Sequence, residues 1–253
     1  MNSKTKAFSL FLLGLLLLVP LPSAFAQDGN TSMYFNGGYQ GNNWSGGPEG
    51  DVATGFYDGS INGVNVGPGQ SSPGFICDDY YDSITTGEHW TATGYQISSL
   101  NASNIGADTL FGNANWSNVV SGWNGVQGYQ ALAYLANDMF KNGSGNSALQ
   151  SSVSQALWYL TSLAIGRGFG LSSLDSTAQS LVAYVENINN DPSLSSYAGL
   201  FLYTQPFNPN GPQEMWGMVA VPEGGSALAY LLIAGICCFT AISRSRKPLP
   251  LTR

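Results

Sequence analysis

Chemically reactive residue types gather around one cysteine, Cys77, in the segment Phe75-Ile76-Cys77-Asp78-Asp79. The other two cysteines, Cys237 and Cys238, lie together in an apolar run near the C-terminus, which leaves Cys77 alone in the rest of the chain. A lone cysteine is buried and inert, paired with another molecule, or used as a nucleophile. The sequence around Cys77 leaves these three uses open.

The acidic neighbours of Cys77 raise the question of a metal site. Asp78, Asp79 and Asp82 place three carboxylates within five residues, and hard cations such as calcium bind carboxylate oxygens. The spacing lacks the glycine turn and the distal Glu of a calcium loop, so we expect a solvated acidic turn. His89 is the only histidine, which is too few for a His-based zinc site. We therefore expect no metal, no cofactor and no catalytic residue, and a protein that is not an enzyme.

Short strands must position Cys77 in the first half of the chain. Residues 28–75 are dense in Gly and Asn and carry short aromatic or β-branched patches, a pattern typical of strands joined by tight turns. Another strand carries Phe75-Ile76-Cys77, and a further one runs near Trp90 to Ile97. Strand-like sequence returns late, at Gly199 to Tyr203 and at Glu214 to Val221.

Three helices are predicted between these strands. After Gly125 apolar residues recur at three and four, which predicts a helix that stops at Asn142-Gly143. A second helix is predicted over Ser147 to Leu163 and a third over Ser172 to Ile188. The fold class is therefore α+β, a β-rich barrel or sandwich with an inserted helical layer.

The N-terminus has the layout of a cleavable secretory signal peptide. Lys4 and Lys6 precede an apolar stretch from Ala7 to Val19, and small residues follow at Ala24-Phe25-Ala26. We assign residues 1–26 to this signal, with signal peptidase as its partner. The exported domain is then 27–220, one domain of ordinary size.

The C-terminus predicts a membrane anchor. Ser226 to Ser243 is a run of 18 residues without a charge, and a helix of that length spans about 27 Å. Arg244, Arg246 and Lys247 follow as a basic stop, so the positive-inside rule holds the C-terminus in the cytoplasm. The domain before Pro222 is then exported across the cytoplasmic membrane and anchored at the cell envelope, or released from it.

The order of parts in residues 221–253 resembles the PEP-CTERM family of bacterial sorting signals. The short motif is Val221-Pro222-Glu223-Gly224-Gly225-Ser226, in which Gly224 stands where the commonest form has a second proline. The transmembrane helix 226–243 and the basic end follow in the family's order. The resemblance implies recognition by an exosortase-type membrane enzyme and leaves its subclass open.

Charge excludes one class of partner for the exported domain. Residues 27–220 keep only Lys141 and Arg167 against fourteen acidic residues, a net charge near −12. A surface so poor in basic residues cannot neutralise phosphates, so we expect no nucleic-acid partner.

Two segments of the exported domain resemble the thioester domains of bacterial surface proteins. Phe75-Ile76-Cys77-Asp78-Asp79 is similar to the family's cysteine strand, and Val153-Ser154-Gln155-Ala156-Leu157-Trp158 to its Gln-x-Ala-Ile-Trp helix. In that family the cysteine thiol attacks a glutamine amide and leaves an internal thioester that acylates an amine on another surface. The resemblance implies Gln155, or Gln150 one turn before Ser154, as the partner of Cys77. Alignment on the tryptophan puts Ser154 in the family's Gln position, so Gln155 is turned by about 100°.

We therefore expect an exported surface or matrix protein with a noncovalent interaction or structural role, in which Cys77 is a small buried hydrophobe and Trp158 a core anchor. One alternative is a covalent adhesin that uses Cys77 with Gln155 or Gln150. The other is a glycan-binding protein, whose partner is an envelope polysaccharide. Its stacking residues come from tyrosine-rich patches such as Tyr80-Tyr81 and from six tryptophans: Trp44, Trp90, Trp116, Trp123, Trp158 and Trp216.

Overall fold

The structure, a computed structural model, describes residues 29–187, 194–197, 199–204 and 213–218. All of them belong to one compact unit, Ala24–Ala220. The predicted signal peptide 1–26 and sorting tail 221–253, with its predicted transmembrane helix 226–243, lie outside the described residues. Within the described part of the chain, none of the helices combines the length and the apolar character that crossing a bilayer requires.

Nine strands and four α-helices make up the described domain. The strands are β1 Gly29–Tyr39, β2 Asn43–Trp44, β3 Val52–Ala53, β4 Tyr57–Ile61, β5 Val64–Val66, β6 Phe75–Cys77, β7 His89–Gln96, β8 Leu200–Thr204 and β9 Met215–Met218. The helices are α1 Ile105–Asp108, α2 Gly125–Asn142, α3 Ser147–Ala164 and α4 Ser176–Glu186, and all four lie between β7 and β8 in the chain.

Six of the strands close into an antiparallel barrel. Their order is β1-β7-β8-β9-β6-β4, and the pairing of β4 with β1 completes the ring. Strand β5 joins β4 in a hairpin whose turn is Asn62-Gly63, where both residues have positive φ and Gly63 relieves the strain that a side chain would add. The predicted α+β fold is therefore confirmed in its barrel form, with helices inserted before the last two strands.

Alternation along the strands gives the barrel two apolar faces. The inner face carries a core of residues that recur at every second position: Met33, Phe35, Tyr57, Ile61, Phe75, Cys77, Trp90, Ala92, Phe201, Tyr203 and Met215. The outer face packs against the helices through Ile76, Leu200, Leu202 and Trp216. Successive residues of one strand therefore pack into different cores, one inside the barrel and one between the barrel and the helices.

The helix boundaries follow their caps. Helix α2 begins after Asn124, whose side chain accepts from Val126 N–H in a capping box with Gln127, and α3 begins after the cap Asn146. Both helices lie where the sequence predicts them. Helix α4 starts at Ser176 instead of Ser172, because Asp175 caps it and Leu171–Ser173 forms a separate 3₁₀ turn.

Candidate functional site at Cys77 and Gln213

Strands β6 and β9 bring two distant segments of the chain side by side. They pair antiparallel, with Cys77 opposite Met215. Because side chains alternate between the faces of a strand, Gln213, two residues before Met215, belongs to the inner face with Cys77. By the same alternation Asp78 and Glu214 belong to the outer face. The sheet therefore places a thiol near an amide on one face and two carboxyls together on the other.

Cys77 is almost fully buried, with 1% of its surface exposed. Its Sγ lies 3.0 Å from the carbonyl oxygen of Asp79, to which the thiol donates, and 3.3 Å from the Asp79 backbone nitrogen, from which it accepts. Burial raises the pKa of the Cys77 thiol well above its ordinary value, and the nearby carboxyls of Asp79 and Asp78 raise it further. The thiol is therefore protonated at neutral pH.

Gln213 shares the hydrogen-bond acceptor of Cys77. Its amide nitrogen Nε2 donates to the same Asp79 carbonyl oxygen at 3.2 Å. Bonds of 3.0 and 3.2 Å to one oxygen keep the sulfur and the amide nitrogen within about 6 Å of each other. A buried thiol and a buried primary amide therefore lie together inside one end of the barrel.

Helix α3 fixes the backbone that carries the thiol. The indole N–H of Trp158 donates to the Cys77 carbonyl oxygen at 3.1 Å, and the Thr161 hydroxyl donates to the Asp78 carbonyl oxygen at 2.7 Å. Trp158 is buried, in agreement with its predicted role as a core anchor. The helix that resembles the family's Gln-x-Ala-Ile-Trp segment thus contacts the cysteine strand through its tryptophan.

The two predicted partners of Cys77 have other hydrogen bonds. The Gln155 amide donates to Asp175 Oδ2 at 2.9 Å, and its oxygen accepts from the Asp175 backbone N–H at 2.9 Å. The Gln150 amide donates to the Gly143 carbonyl oxygen at 2.9 Å. Among the residues that the structure describes, neither side chain hydrogen-bonds Cys77. They instead tie α3 to the cap of α4 and to the end of α2.

A buried pair of carboxyl groups lies on the outer face beside the thiol. Oδ2 of Asp78 accepts from the Trp216 indole at 2.6 Å, whereas its Oδ1 is buried without a donor among the described residues. Glu214 accepts from the Tyr129 hydroxyl at 2.6 Å and from the Leu110 N–H at 3.0 Å. Burial and the Glu214 charge raise the pKa of Asp78 well above its ordinary value. Burial also raises the pKa of Glu214, and we infer that Asp78 keeps its proton to a higher pH than an exposed carboxyl does.

The expectation of a solvated acidic turn is wrong for Asp78 and Asp79, which are both buried. Oδ1 of Asp79 accepts from the backbone N–H groups of Tyr81 and Asp82, so the turn folds over its own carboxylate. Burial, with the neighbouring Asp82 carboxylate, raises the pKa of Asp79 to about 7. In the described part of the chain no three His, Cys, Asp or Glu side chains are grouped as metal ligands.

An open cleft of about 370 Å³ lies against this site. Among its lining residues are Asp79, Trp158 and Gln213, all of which contact the thiol segment, and Tyr57 of the barrel interior. Glu49, Tyr80, Tyr81 and Asp82 form part of its rim and walls. The buried amide of Gln213 therefore borders a space that is open to solvent.

The tryptophans proposed for sugar stacking lie mostly inside the domain. Five of the six are buried, and only Trp123 is half-buried. Trp158 and Trp44 are in contact, with ring centroids 6.0 Å apart, within the helical core. Core packing therefore accounts for five of the aromatic side chains on which the glycan-binding alternative depended.

Gln213 and Glu214 were not predicted from the sequence as site residues. The signal available was the Gln213-Glu214 pair at the start of a predicted strand, which matches the Cys77-Asp78 pair at the end of another. Comparison with known proteins gives no further guidance, since no protein-family model matches the chain and neither a curated protein nor a solved structure is significantly similar to it.

Proposed function

We propose that the chain is an exported cell-envelope protein that forms an internal thioester between Cys77 and Gln213 and uses it to attach covalently to another surface. The observation that carries this proposal is the Asp79 carbonyl oxygen, to which both the Cys77 thiol and the Gln213 amide are hydrogen-bonded. The resemblance of the Cys77 and Trp158 segments to bacterial thioester domains supports the same chemistry. Gln213 replaces Gln155 and Gln150 as the acyl partner.

Formation of the bond requires no cofactor. The Cys77 sulfur attacks the amide carbon Cδ of Gln213, so that an S–C bond forms and the C–N bond breaks. The thiol proton leaves with the amide nitrogen as ammonia, and the protein loses about 17 Da. Proximity accelerates the reaction, because a thiol and an amide held in one pocket react at a high effective concentration.

In the reaction with a partner the sulfur of Cys77 is the leaving group, whereas it is the nucleophile when the thioester forms. A primary amine on the partner attacks the thioester carbonyl, a C–N bond forms, the C–S bond breaks and the thiol of Cys77 is restored. Gln213 is left as a substituted amide joined to the partner. Burial of Cys77 shields the sulfur from solvent, and the cleft that Gln213 lines gives an amine a path to the acyl group.

Export and sorting rest on the two ends of the chain. The signal peptide 1–26 directs translocation, and the tail 221–253 resembles signals read by exosortase-type enzymes. The exported residues 27–220 carry two basic and fourteen acidic side chains. Such a composition suits a soluble surface domain and supports no nucleic-acid function.

Intact mass spectrometry tests the thioester. The mature protein, purified from cell membranes without reducing agent, is weighed before and after treatment with methylamine. We expect a gain of about 31 Da, because methylamine opens the thioester and stays on the glutamine. Cys77→Ala and Gln213→Ala should show no gain, and Gln155→Ala and Gln150→Ala should behave as the wild type.

Trypsin then locates the acylated residue. The exported domain contains only Lys141 and Arg167 as cleavage sites, so Gln150 and Gln155 fall in residues 142–167 and Gln213 in the fragment that begins at Gly168. Methylamine on the fragment that begins at Gly168 supports Gln213 as the acyl partner of Cys77. Methylamine on residues 142–167 would instead assign the acyl group to a glutamine of α3. An unchanged mass with a free thiol would overturn the covalent function and leave the noncovalent surface role.

A further inference from the structure

A hairpin outside the barrel forms part of the wall of the cleft. Strands β2 and β3 pair with each other, with Trp44 opposite Val52, and among the described residues they do not join the barrel sheet. Val52 of β3 and Glu49 in the turn between the strands line the same cleft as Gln213. Movement of this turn would therefore change the width of the cleft that Gln213 borders.

The base of the hairpin is fixed to the body of the domain. Trp44 is buried, and its ring packs against those of Tyr80, Trp158 and Phe169, with centroids 5.7, 6.0 and 5.5 Å away. On the other strand the carbonyl oxygen of Ala53 accepts from the Tyr57 hydroxyl at 2.5 Å. Both strands are thus anchored, and movement is left to the residues between them.

The tip of the hairpin, residues 45–51, makes few contacts that would hold it in place. Three of its seven residues are glycines, and all of them are exposed except Gly47, which is half-buried. Among the described residues, one hydrogen bond joins the tip to the rest of the domain: the Glu49 backbone N–H donates to the Tyr80 hydroxyl at 2.9 Å. Segments with few buried apolar contacts open locally at a small cost in free energy.

Tyr80 connects the tip to the segment that carries the thiol. A Cβ atom on Gly47 would overlap the Tyr80 hydroxyl oxygen, so the tip approaches this ring closely because Gly47 has no side chain. Tyr80 is buried, and its ring packs against Trp158 with centroids 5.5 Å apart. It directly follows Asp79, whose carbonyl oxygen is the shared acceptor of the site. The residue that holds the tip is therefore itself fixed beside the site.

We propose that residues 45–51 are a flap over the cleft, latched by the Tyr80 hydroxyl, and that lifting of the flap exposes Cys77 and Gln213 to other molecules. Both side chains are buried while the latch is closed. When the hydrogen bond between Glu49 and Tyr80 breaks, the wall that the tip contributes moves away and the cleft widens. The inference concerns access to Cys77 and Gln213, and it holds whether or not the two form a thioester.

Alkylation of Cys77 in the Gln213→Ala background tests the flap, because no thioester can form there to hide the thiol. The mature protein is treated with iodoacetamide in the folded state, and modification of Cys77 is measured on the tryptic fragment that ends at Lys141. Tyr80→Phe removes the latch and keeps the ring, and Gly50→Ala strains the tip, because Gly50 has a φ of +81°. We expect either change to speed alkylation about three- to tenfold, since loss of one hydrogen bond raises the open population by about that factor.

Each flap variant has a matched control. Tyr184→Phe removes the hydroxyl of an exposed tyrosine of α4, and Gly69→Ala introduces a similar strain, at a φ of +75°, in a loop that does not line this cleft. A Cβ atom meets no other atom within 4 Å at Gly50 or at Gly69, so these two variants differ in position alone. Both controls should react at the rate of the Gln213→Ala background.

Equal rates in the flap variants and the background would overturn the flap. A rise in the controls as large as that in the flap variants would also overturn it, because the thiol would then react through unfolding of the whole domain. The methylamine mass gain of the protein that retains Gln213 reports on the thioester separately, so either proposal can fail without the other.

Discussion

The indole nitrogen of Trp216 lies 2.6 Å from Oδ2 of Asp78, inside the contact between β9 and the helices. Among the described residues the other oxygen of Asp78 is buried without a donor, and the charge of Glu214 raises the pKa of Asp78. The proton that Asp78 keeps therefore lies beside Glu214, between the end of β6 and the start of β9. The same two chain segments present Cys77 and Gln213 on the opposite face.

This buried proton makes the stability of the domain depend on pH. The raised pKa of Asp78 means that the folded domain keeps a proton which the unfolded chain releases above about pH 4. The stabilisation is full below that pH and is lost as the pH rises. Asp79, with its pKa raised to about 7, adds a second loss between about pH 4 and 7. We expect the free energy of unfolding in urea to fall by up to about 1.4 kcal/mol per pH unit for each proton.

The variant Asp78→Asn should reduce this pH dependence and leave the part that Asp79 contributes, because an amide does not titrate. Asp108→Asn, which removes a carboxyl outside the Asp78–Glu214 pair, should keep the wild-type slope. A slope in Asp78→Asn equal to that of the wild type would show that Asp78 is not a source of the pH dependence.

Trp158→Phe should destabilise the domain by about 1–3 kcal/mol, since it removes the donor of the buried Cys77 carbonyl oxygen. Urea unfolding followed by fluorescence measures the change. The same variant should form less thioester, because the segment Cys77-Asp78 loses one of the two hydrogen bonds that side chains of α3 donate to it. Trp123→Phe, at a half-buried position, should change both quantities little.

Gln155→Ala tests whether Gln155 stabilises the fold or supplies the acyl group of the thioester. We expect a loss of about 1–3 kcal/mol of stability, because the side chain is buried and bonds both the carboxylate and the backbone N–H of Asp175. Methylamine labelling of Gln213 should persist in this variant. Gln130→Ala, a half-buried glutamine of α2, is the control for stability. Loss of labelling without loss of stability would assign the acyl group to Gln155.

The thiol of Cys77 should be protected in the folded protein even when no thioester can form. In Gln213→Ala the sulfur stays buried with a raised pKa, and each pKa unit lowers the thiolate fraction tenfold. We expect iodoacetamide to modify this variant at least about tenfold more slowly when folded than in urea. Comparable rates in the two states would contradict the burial of the thiol.

Pro222→Ala combined with Glu223→Ala tests the sorting tail. Full-length protein should accumulate in the membrane fraction, because the enzyme that reads the motif no longer recognises it. Pro248→Ala, beyond the basic stop, should be processed as the wild type. Normal processing of the double variant, followed by immunoblotting of membrane and released fractions, would reject sorting by this motif.

Local pattern was sufficient to predict the helices. The apolar spacing that begins near Tyr129 is a local signal, and α2 and α3 lie where such spacing indicates, each after an asparagine cap. The start of α4 was missed because Asp175 was not recognised as its cap. Closure of the barrel depends on β1 pairing with β4, a contact that no local pattern specifies. The sequence therefore did not distinguish a barrel from a sandwich.

The candidate site was predicted in part for the same reason. Cys77 and Trp158 were identified from short motifs, and they are in contact. Gln213 was missed because its hydrogen bond to Asp79 spans 134 residues of sequence and exists only through the β6–β9 pairing. Burial of Asp78 and Asp79 was missed because adjacent acidic residues usually indicate an exposed turn, and the partners of Asp78, Glu214 and Trp216, come from that same distant segment.

The position of β9 affects how the protein would bear mechanical load. Strand β9 lies between β8 and β6 and begins two residues after Gln213, and the predicted anchor begins a few residues after its end. A partner bonded to Gln213 would therefore pull on the membrane through one short backbone segment. The other strands of the barrel and the helices would lie outside the path of the force, so a covalent attachment could hold under tension without requiring the rest of the fold to resist it.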